Sequence, residues 1–155
     1  MTAALDAARD ALRDERVWVV GGAVRDRLLG RELEDVDLVV DGDVKAAARH
    51  LALAVGGPAF ALSDAFGAWR VIGPGRAWQI DLSPLQDRSI VADLGLRDFT
   101  VNAIAEPLLG GELIDPHGGA GDVEERRLRM VSDAAFDADP LRVLRLARFA
   151  CELDL

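Results

Sequence analysis

Two aspartates, Asp35 and Asp37, stand two residues apart at the mouth of the apolar run DVDLVV, residues 35–40. If that run is a strand, alternate side chains share a face, and both carboxylates lie on one side with Cα atoms roughly 6–7 Å apart. Like charges so placed repel each other unless a cation lies between them. Taken alone, an Asp-x-Asp pair is more often a solvated entry to a strand, so its neighbours decide. Just upstream, VVGGAVRDRLLG (19–30) reads as a strand, two glycines and a helix start. Such a junction lets backbone N–H groups at Gly21 and Gly22 approach an anionic phosphate, with Arg25 within reach. Hard carboxylate oxygens beside a phosphate are the ligands that suit Mg²⁺. Two competing motifs fail. A dinucleotide fingerprint needs G-x-G-x-x-G, a spacing GGAVRD lacks. A calcium-binding EF loop begun at Asp37 would put Val39 and Ala48 where oxygen ligands belong.

The elements that must position these groups follow from periodicity and punctuation. An amphipathic helix over about 3–14 gives way to a buried strand at VWVV (17–20). A helix over 23–30 is ended by Gly30, and DVDLVV is the next strand. DGD (41–43) is a turn whose Asp43 caps the helix VKAAARHLALAV, broken by GGP at 56–58. AFAL, GAWRVIG and AWQIDLS are strands, the last two a hairpin about Pro74 and Gly75. A helical stretch is expected over 89–105, a short strand at ELID (112–115), and helical segments from about 119. Hairpins mixed with helices make the class α+β. In the last helix, DADPLRVLRLARFA, Asp139 suits the N-cap and Pro140 the first position. Val143, Leu146, Ala147 and Ala150 have core spacing, while Arg142, Arg145 and Arg148 recur every three residues on a broad opposite face. An exposed basic face is ordinarily just solvated.

The chain has 155 residues, half of them hydrophobic, enough for one domain or one domain and the start of another. Its net charge of −9 argues against nonspecific coating of nucleic acid, yet leaves nucleic acid open as a substrate of local arginine clusters. No stretch approaches the ~18–20 uninterrupted apolar residues of a membrane span. The N-terminus reads as an amphipathic helix rather than a signal peptide. The one cysteine, Cys151, cannot form an internal disulfide, and a reducing, cytoplasmic setting is expected.

Taken in order, GGAVRDRLLG, DVDLVV, RDFTVNAIA, DPHGGAGD and DPLRVLRLARF resemble the nucleotidyltransferases of the polymerase-β superfamily. Within it the chain is similar to the class II group: bacterial tRNA CCA-adding enzymes, their CC- and A-adding relatives, and bacterial poly(A) polymerases. The resemblance runs from about Val17 to Phe149. It implies a polymerase-β-like head over residues 1–135, a small mixed sheet flanked by helices packed on one side, and the first helix of a neck domain over 136–155. It further implies two Mg²⁺ ions held by Asp35, Asp37 and a third carboxylate, Asp81. Gly21, Gly22 and Arg25 would contact the triphosphate. Arg97 and Asp98 would contact the nucleotide, Asp98 at the sugar hydroxyl. Asp139 and Arg142 would read the base edge, supported by Arg145 and Arg148. The implied reaction is attack by a tRNA 3′-hydroxyl on the α-phosphate of CTP or ATP, releasing pyrophosphate. The alternatives are a bacterial poly(A) polymerase, or a nucleotide- and Mg²⁺-binding head with little transfer activity. DPHGGAGD (115–122) reads as a structural turn, with His117 a turn residue rather than a ligand. The sequence departs from the family pattern in three places. Leu96 stands where the first arginine of Arg-Arg-Asp is usual, and Ala138 where a glutamate is common. The stretch QDRSIVADLGL is short, as in CC-adding members, which speaks against terminal A addition.

Overall fold

Runs of β-branched residues build the middle of the sheet. Val17–Val20 (β1) is buried along its whole length, and Asp35–Val40 (β2) lies antiparallel beside it with Val20 opposite Asp37. The computed structural model describes residues 3–33, 35–63, 65–133 and 141–153. Among these, six strands form one sheet, completed by Ala59–Ser63 (β3), Ala68–Ile72 (β4), Gln79–Pro84 (β5) and Ala105–Pro107 (β6). The strand order is β3-β4-β5-β2-β1-β6. β2 and β5 run parallel and the other pairs are antiparallel, so the sheet is mixed and the class is α+β, as expected.

One face of the sheet is sealed by helices α1 (Ala3–Ala11) and α3 (Val44–Val55). Leu5, Ala8 and Leu51 share a buried cluster there with Val36, Leu38, Ile80 and Leu82. Asp43 accepts a hydrogen bond from Ala46 N at 3.0 Å, a cap worth about 1 kcal/mol, and Gly56 ends α3 in the left-handed region. The helices do not all lie on that side, however. Helix α4 (Ile90–Gly95) lays Ile90 and Leu94 on the other face, against Trp18, Val20 and Val39. The unbroken apolar run of β1 is the reason, since both its faces need cover.

Other expectations are corrected by local chemistry. The helix expected over 89–105 stops at Gly95, followed by a 3₁₀ turn at Thr100–Asn102 and then β6. Asp98 and Asn102 turn their side chains onto nearby groups, including Phe99 N, in competition with helical bonding. ELID contributes only the isolated bridge of Ile114 with Ala105, and it is β6 that pairs with β1. The opening helix ends at Ala11, and α2 covers Gly22–Leu28. Beyond 119, α5 is the single short helix Gly119–Glu124 before Arg126 takes a positive φ. Helix α6 covers Leu141–Leu153, and its buried residues are Phe149 and Leu153, with Val143 and Ala147 exposed. The core stripe is thus rotated toward the arginine side. Asp139 and Pro140, and with them the proposed cap and the 135/136 boundary, lie outside the described residues. No helix among the described residues is long and apolar enough to cross a membrane.

Candidate active site

Register places the opening aspartates in a row that crosses the sheet. Phe60, Arg70, Asp81, Asp37 and Val20 are successive partners from the β3 edge inward. Ile72, Gln79 and Asp35 form the next row. Directly paired residues share a face, so Asp35, Asp37 and Asp81 all lie on the sheet face away from α1 and α3. Beyond the reach of α4 this face is open.

The three carboxylates differ in what they hold. Asp81 is gripped by both prongs of Arg70, Nε to Oδ1 at 2.6 Å and Nη2 to Oδ2 at 2.7 Å. The hydrogen bond to Asp81 leads the effects that hold the Arg70 guanidinium still more firmly protonated than usual. Asp37 keeps an edge open to the cleft but is crowded elsewhere. That burial pushes its carboxyl up, and the charges of Asp81 and then Asp35 add to the shift against the opposing pull of Arg97 and Arg70. A carboxyl raised by desolvation and by neighbouring carboxylates is a place where a cation is favoured. The hard oxygens of Asp35 and Asp37 fit a divalent ion such as Mg²⁺. The expected three-carboxylate metal cluster is not preformed, though: no such group of acidic, histidine or cysteine side chains occurs among the described residues. Arg70 already neutralises the third member.

Across β1 lies a cleft of about 670 Å³, within the size range of small-molecule sites. Gly21 and Gly22 sit at its floor. Gly21 holds φ +64°, and a Cβ there would come 3.0 Å from Arg97 Nη1 and 4.0 Å from Asp37 Oδ2. The missing side chain is what lets a guanidinium sit beside the carboxylates. Arg97 is steadied by buried Asp93 at 3.4 Å, while its own Nε is buried with no hydrogen-bond partner. An orphaned charged donor in a cleft is costly unless an anion completes it.

Arg25 lines the cleft but is committed elsewhere. Nε and Nη2 bond Asp26 at 2.9 and 3.0 Å, and Nη1 bonds Asn102 Oδ1 at 2.5 Å. Asp98, expected at a sugar hydroxyl, is committed too: it accepts from Arg145 Nε at 2.7 Å, Phe99 N at 2.8 Å and Asn102 Nδ2 at 3.2 Å. Burial alone would lift this carboxyl, but the hydrogen bonds, Arg145's foremost, outweigh it and hold Asp98 below the usual carboxylate range. Arg142 Nη2 donates to the Leu96 carbonyl at 3.0 Å, so the residue that departs from the family arginine anchors another arginine through its backbone. Arg148 also lines the cleft, with Glu152 3.7 Å away.

Four contributors had gone unmarked in the sequence: Arg70, Asp93, Asn102 and Phe149. Phe149 is ringed by guanidinia, with Arg148, Arg145 and Arg25 at 4.8, 5.2 and 5.4 Å from its centroid, and it packs edge-on against Phe99. Arg70 could have been found, because Arg70 stands five residues before Gly75 and Asp81 five after Arg76, on the two sides of the hairpin turn. Asn102 gives no such signal.

A family model described as the poly A polymerase head domain matches residues 17–72 and 77–129. The chain belongs to this family. The matched ranges carry the glycine pair, the three aspartates, Arg70, Arg97, Asp98 and Asn102, and they pass over residues 73–76 and α6. The chain is 46% identical over 137 residues to a CC-adding tRNA nucleotidyltransferase of Geobacter sulfurreducens, covering 88% of this chain and 32% of that one. It is 49% identical over 135 residues to an A-adding tRNA nucleotidyltransferase of Deinococcus radiodurans, covering 87% and 30%. A solved tRNA nucleotidyltransferase, in complex with a primer tRNA and an incoming ATP analog, superposes with a TM-score of 0.82 at 34% identity, over 96% of this chain and 45% of that one. The chain spans about a third of the length of these curated relatives.

Proposed function

We propose that this head domain transfers CMP or AMP from CTP or ATP to the 3′ end of tRNA. The observation that carries the reading is the placement of Asp35 and Asp37 on an open sheet face, next to an arginine-lined cleft whose Arg97 has an orphaned buried donor. The names of the relatives set the substrate class. The triphosphate would lie over Gly21 and Gly22 and complete Arg97. Arg142, with Asp139, would face the base, and Arg148 would lie beside them. Arg25 and Asp98 act behind this layer, fixing α2, the 3₁₀ turn and α6 to one another.

In the reaction the 3′-oxygen bonds the α-phosphorus as the α–β phosphoanhydride breaks, and pyrophosphate leaves with the electron pair. Asp35 and Asp37 would hold the divalent cation, Mg²⁺ by its ligand preference, and Asp81 would serve a second ion once Arg70 lets go. When bound, such ions ease deprotonation of the attacking hydroxyl and neutralise the triphosphate. Residues to about 135 form the head, with α6 opening a further domain, and a cytoplasmic setting suits tRNA processing. The test is incubation of the full-length protein with Mg²⁺, labelled CTP or ATP, and a tRNA lacking its 3′ end. Addition of C, A or both supports the reading and gives the specificity. A folded protein that adds nothing contradicts it.

A further inference from the structure

Two arginines stand beside the carboxylates of the open face, and they behave differently. Arg70 has closed on Asp81 with both prongs, at 2.6 and 2.7 Å. Arg97 has a comparable partner in Asp37 and does not take it. A Cβ on Gly21 would come 3.0 Å from Arg97 Nη1 and 4.0 Å from Asp37 Oδ2, so both atoms border the space of one missing side chain. Yet no hydrogen bond or ion pair joins Arg97 to Asp37 among the described residues. The guanidinium turns instead to Asp93, whose Oδ2 accepts from Nη2 at 3.4 Å.

Asp93 is itself held in place. It is 4% exposed, and its Oδ1 accepts from the backbone N–H of Gln86 at 2.9 Å. Gln86 lies two residues beyond β5, the strand that carries Asp81. A buried carboxylate left without its cation is costly, so Asp93 keeps the Arg97 charge on its own side. The hold is loose, however. A distance of 3.4 Å is long for a charge-assisted bond, and the buried Arg97 Nε has no partner. A guanidinium held this way can still be completed by a triphosphate. One closed on Asp37, as Arg70 is closed on Asp81, would occupy the oxygens that a divalent cation needs. We propose that Asp93 is a positioning residue that holds Arg97 off Asp37 and so keeps the Asp35–Asp37 pair open to the cation. It acts through Arg97 rather than by contact with the metal. The inference rests on the proposed role of Asp35 and Asp37 as metal ligands.

Mn²⁺ titration of the full-length protein tests this without turnover, counting as site binding the part that Asp37→Asn removes. Asp93→Asn keeps an oxygen for the Gln86 N–H and removes the charge that restrains Arg97. Released, Arg97 should close on Asp37, and Mn²⁺ affinity should fall about tenfold or more. The double variant Asp93→Asn/Arg97→Met takes away the competitor and should bind Mn²⁺ at least as tightly as the parent. Weakened binding in Asp93→Asn, regained in the double variant, supports the role. Binding unchanged in Asp93→Asn, or equally weak in both variants, overturns it, because a merely structural Asp93 would not be rescued by losing Arg97. Should Asp93→Asn fail to fold, Gln86→Pro serves in its place, since it deletes only the N–H that fixes Asp93. Weaker Mn²⁺ binding in Gln86→Pro supports the role, and unchanged affinity overturns it. A parent that binds no Mn²⁺ at Asp37 overturns the metal reading and this inference with it. A parent that binds Mn²⁺ in the expected pattern but adds no nucleotide leaves the inference standing and sinks only the transfer reading.

Discussion

Asp37 and Asp98, which line one cleft, show the same residue type shifted in opposite directions. Burial and the carboxylates of Asp81 and Asp35 raise Asp37. The native state therefore holds this proton more tightly than the unfolded chain, and without a cation the site costs stability above its folded pKa and recovers it as pH falls through that value. Asp98 is held low, chiefly by Arg145 against the effect of burial, so its stabilisation is present above the unfolded value of about 3.9 and is lost as pH falls through the folded one. Chemical unfolding against pH, in metal-free buffer, should show Asp37→Asn at least as stable as the parent at pH 7. Asp98→Asn should be less stable there by about 1–3 kcal/mol, since the carboxylate it replaces receives charge-assisted bonds while buried. Arg70 yields a further prediction. Arg70→Gln frees Asp81, so Mn²⁺ titration should show tighter binding than in the parent. Stability without metal should fall by about 1–2 kcal/mol, a modest loss because the pair is a quarter exposed. Unchanged Mn²⁺ affinity would mean that Asp81 has no part in the metal site. The Asp35–Asp37 spacing was plain in the sequence, because a period of two is local. What Asp81 holds was not, because it depends on the register of a hairpin.

At the scale of elements, the strands and capped helices followed their local signals closely: β1, β2 and α3 have the bounds their composition suggests. The misreadings fall where polar side chains or distant partners overrule periodicity. Asp98 and Asn102 break the stretch 89–105, and β6 exists because β1 offers it an edge. Helix α6 turns its Phe149 inward because Phe99, Arg25 and Asp98, tens of residues away in sequence, await it. Few buried residues hold this helix, so it should open locally before the sheet does. Hydrogen exchange followed by mass spectrometry should show 141–153 exchanging faster than β1 and β2. In Phe149→Ala, where a buried phenyl worth about 3–5 kcal/mol is removed, the difference should widen without loss of sheet protection. Protection of α6 equal to that of β1 would contradict this picture.

Over the whole molecule, one open sheet face organises the chemistry. Helices α1 and α3 seal the opposite face, α4 closes one end, and the uncovered remainder carries a cross-sheet row of charges with a cavity on either side of Asp35. The match to the poly A polymerase head-domain family spans the glycine junction and the aspartates together. On the proposed function, Asp35 and Asp37 serve the reaction rather than the fold. The most direct test is single-nucleotide addition by full-length Asp37→Asn to a tRNA lacking its 3′ end, in Mg²⁺, beside the parent. The expected result is a fall in kcat of at least about a thousandfold with nucleotide affinity changed less than about tenfold, in a protein that melts no earlier than the parent without metal. Near-normal transfer by Asp37→Asn would place the metal site elsewhere, and a clearly earlier melt would make the pair structural.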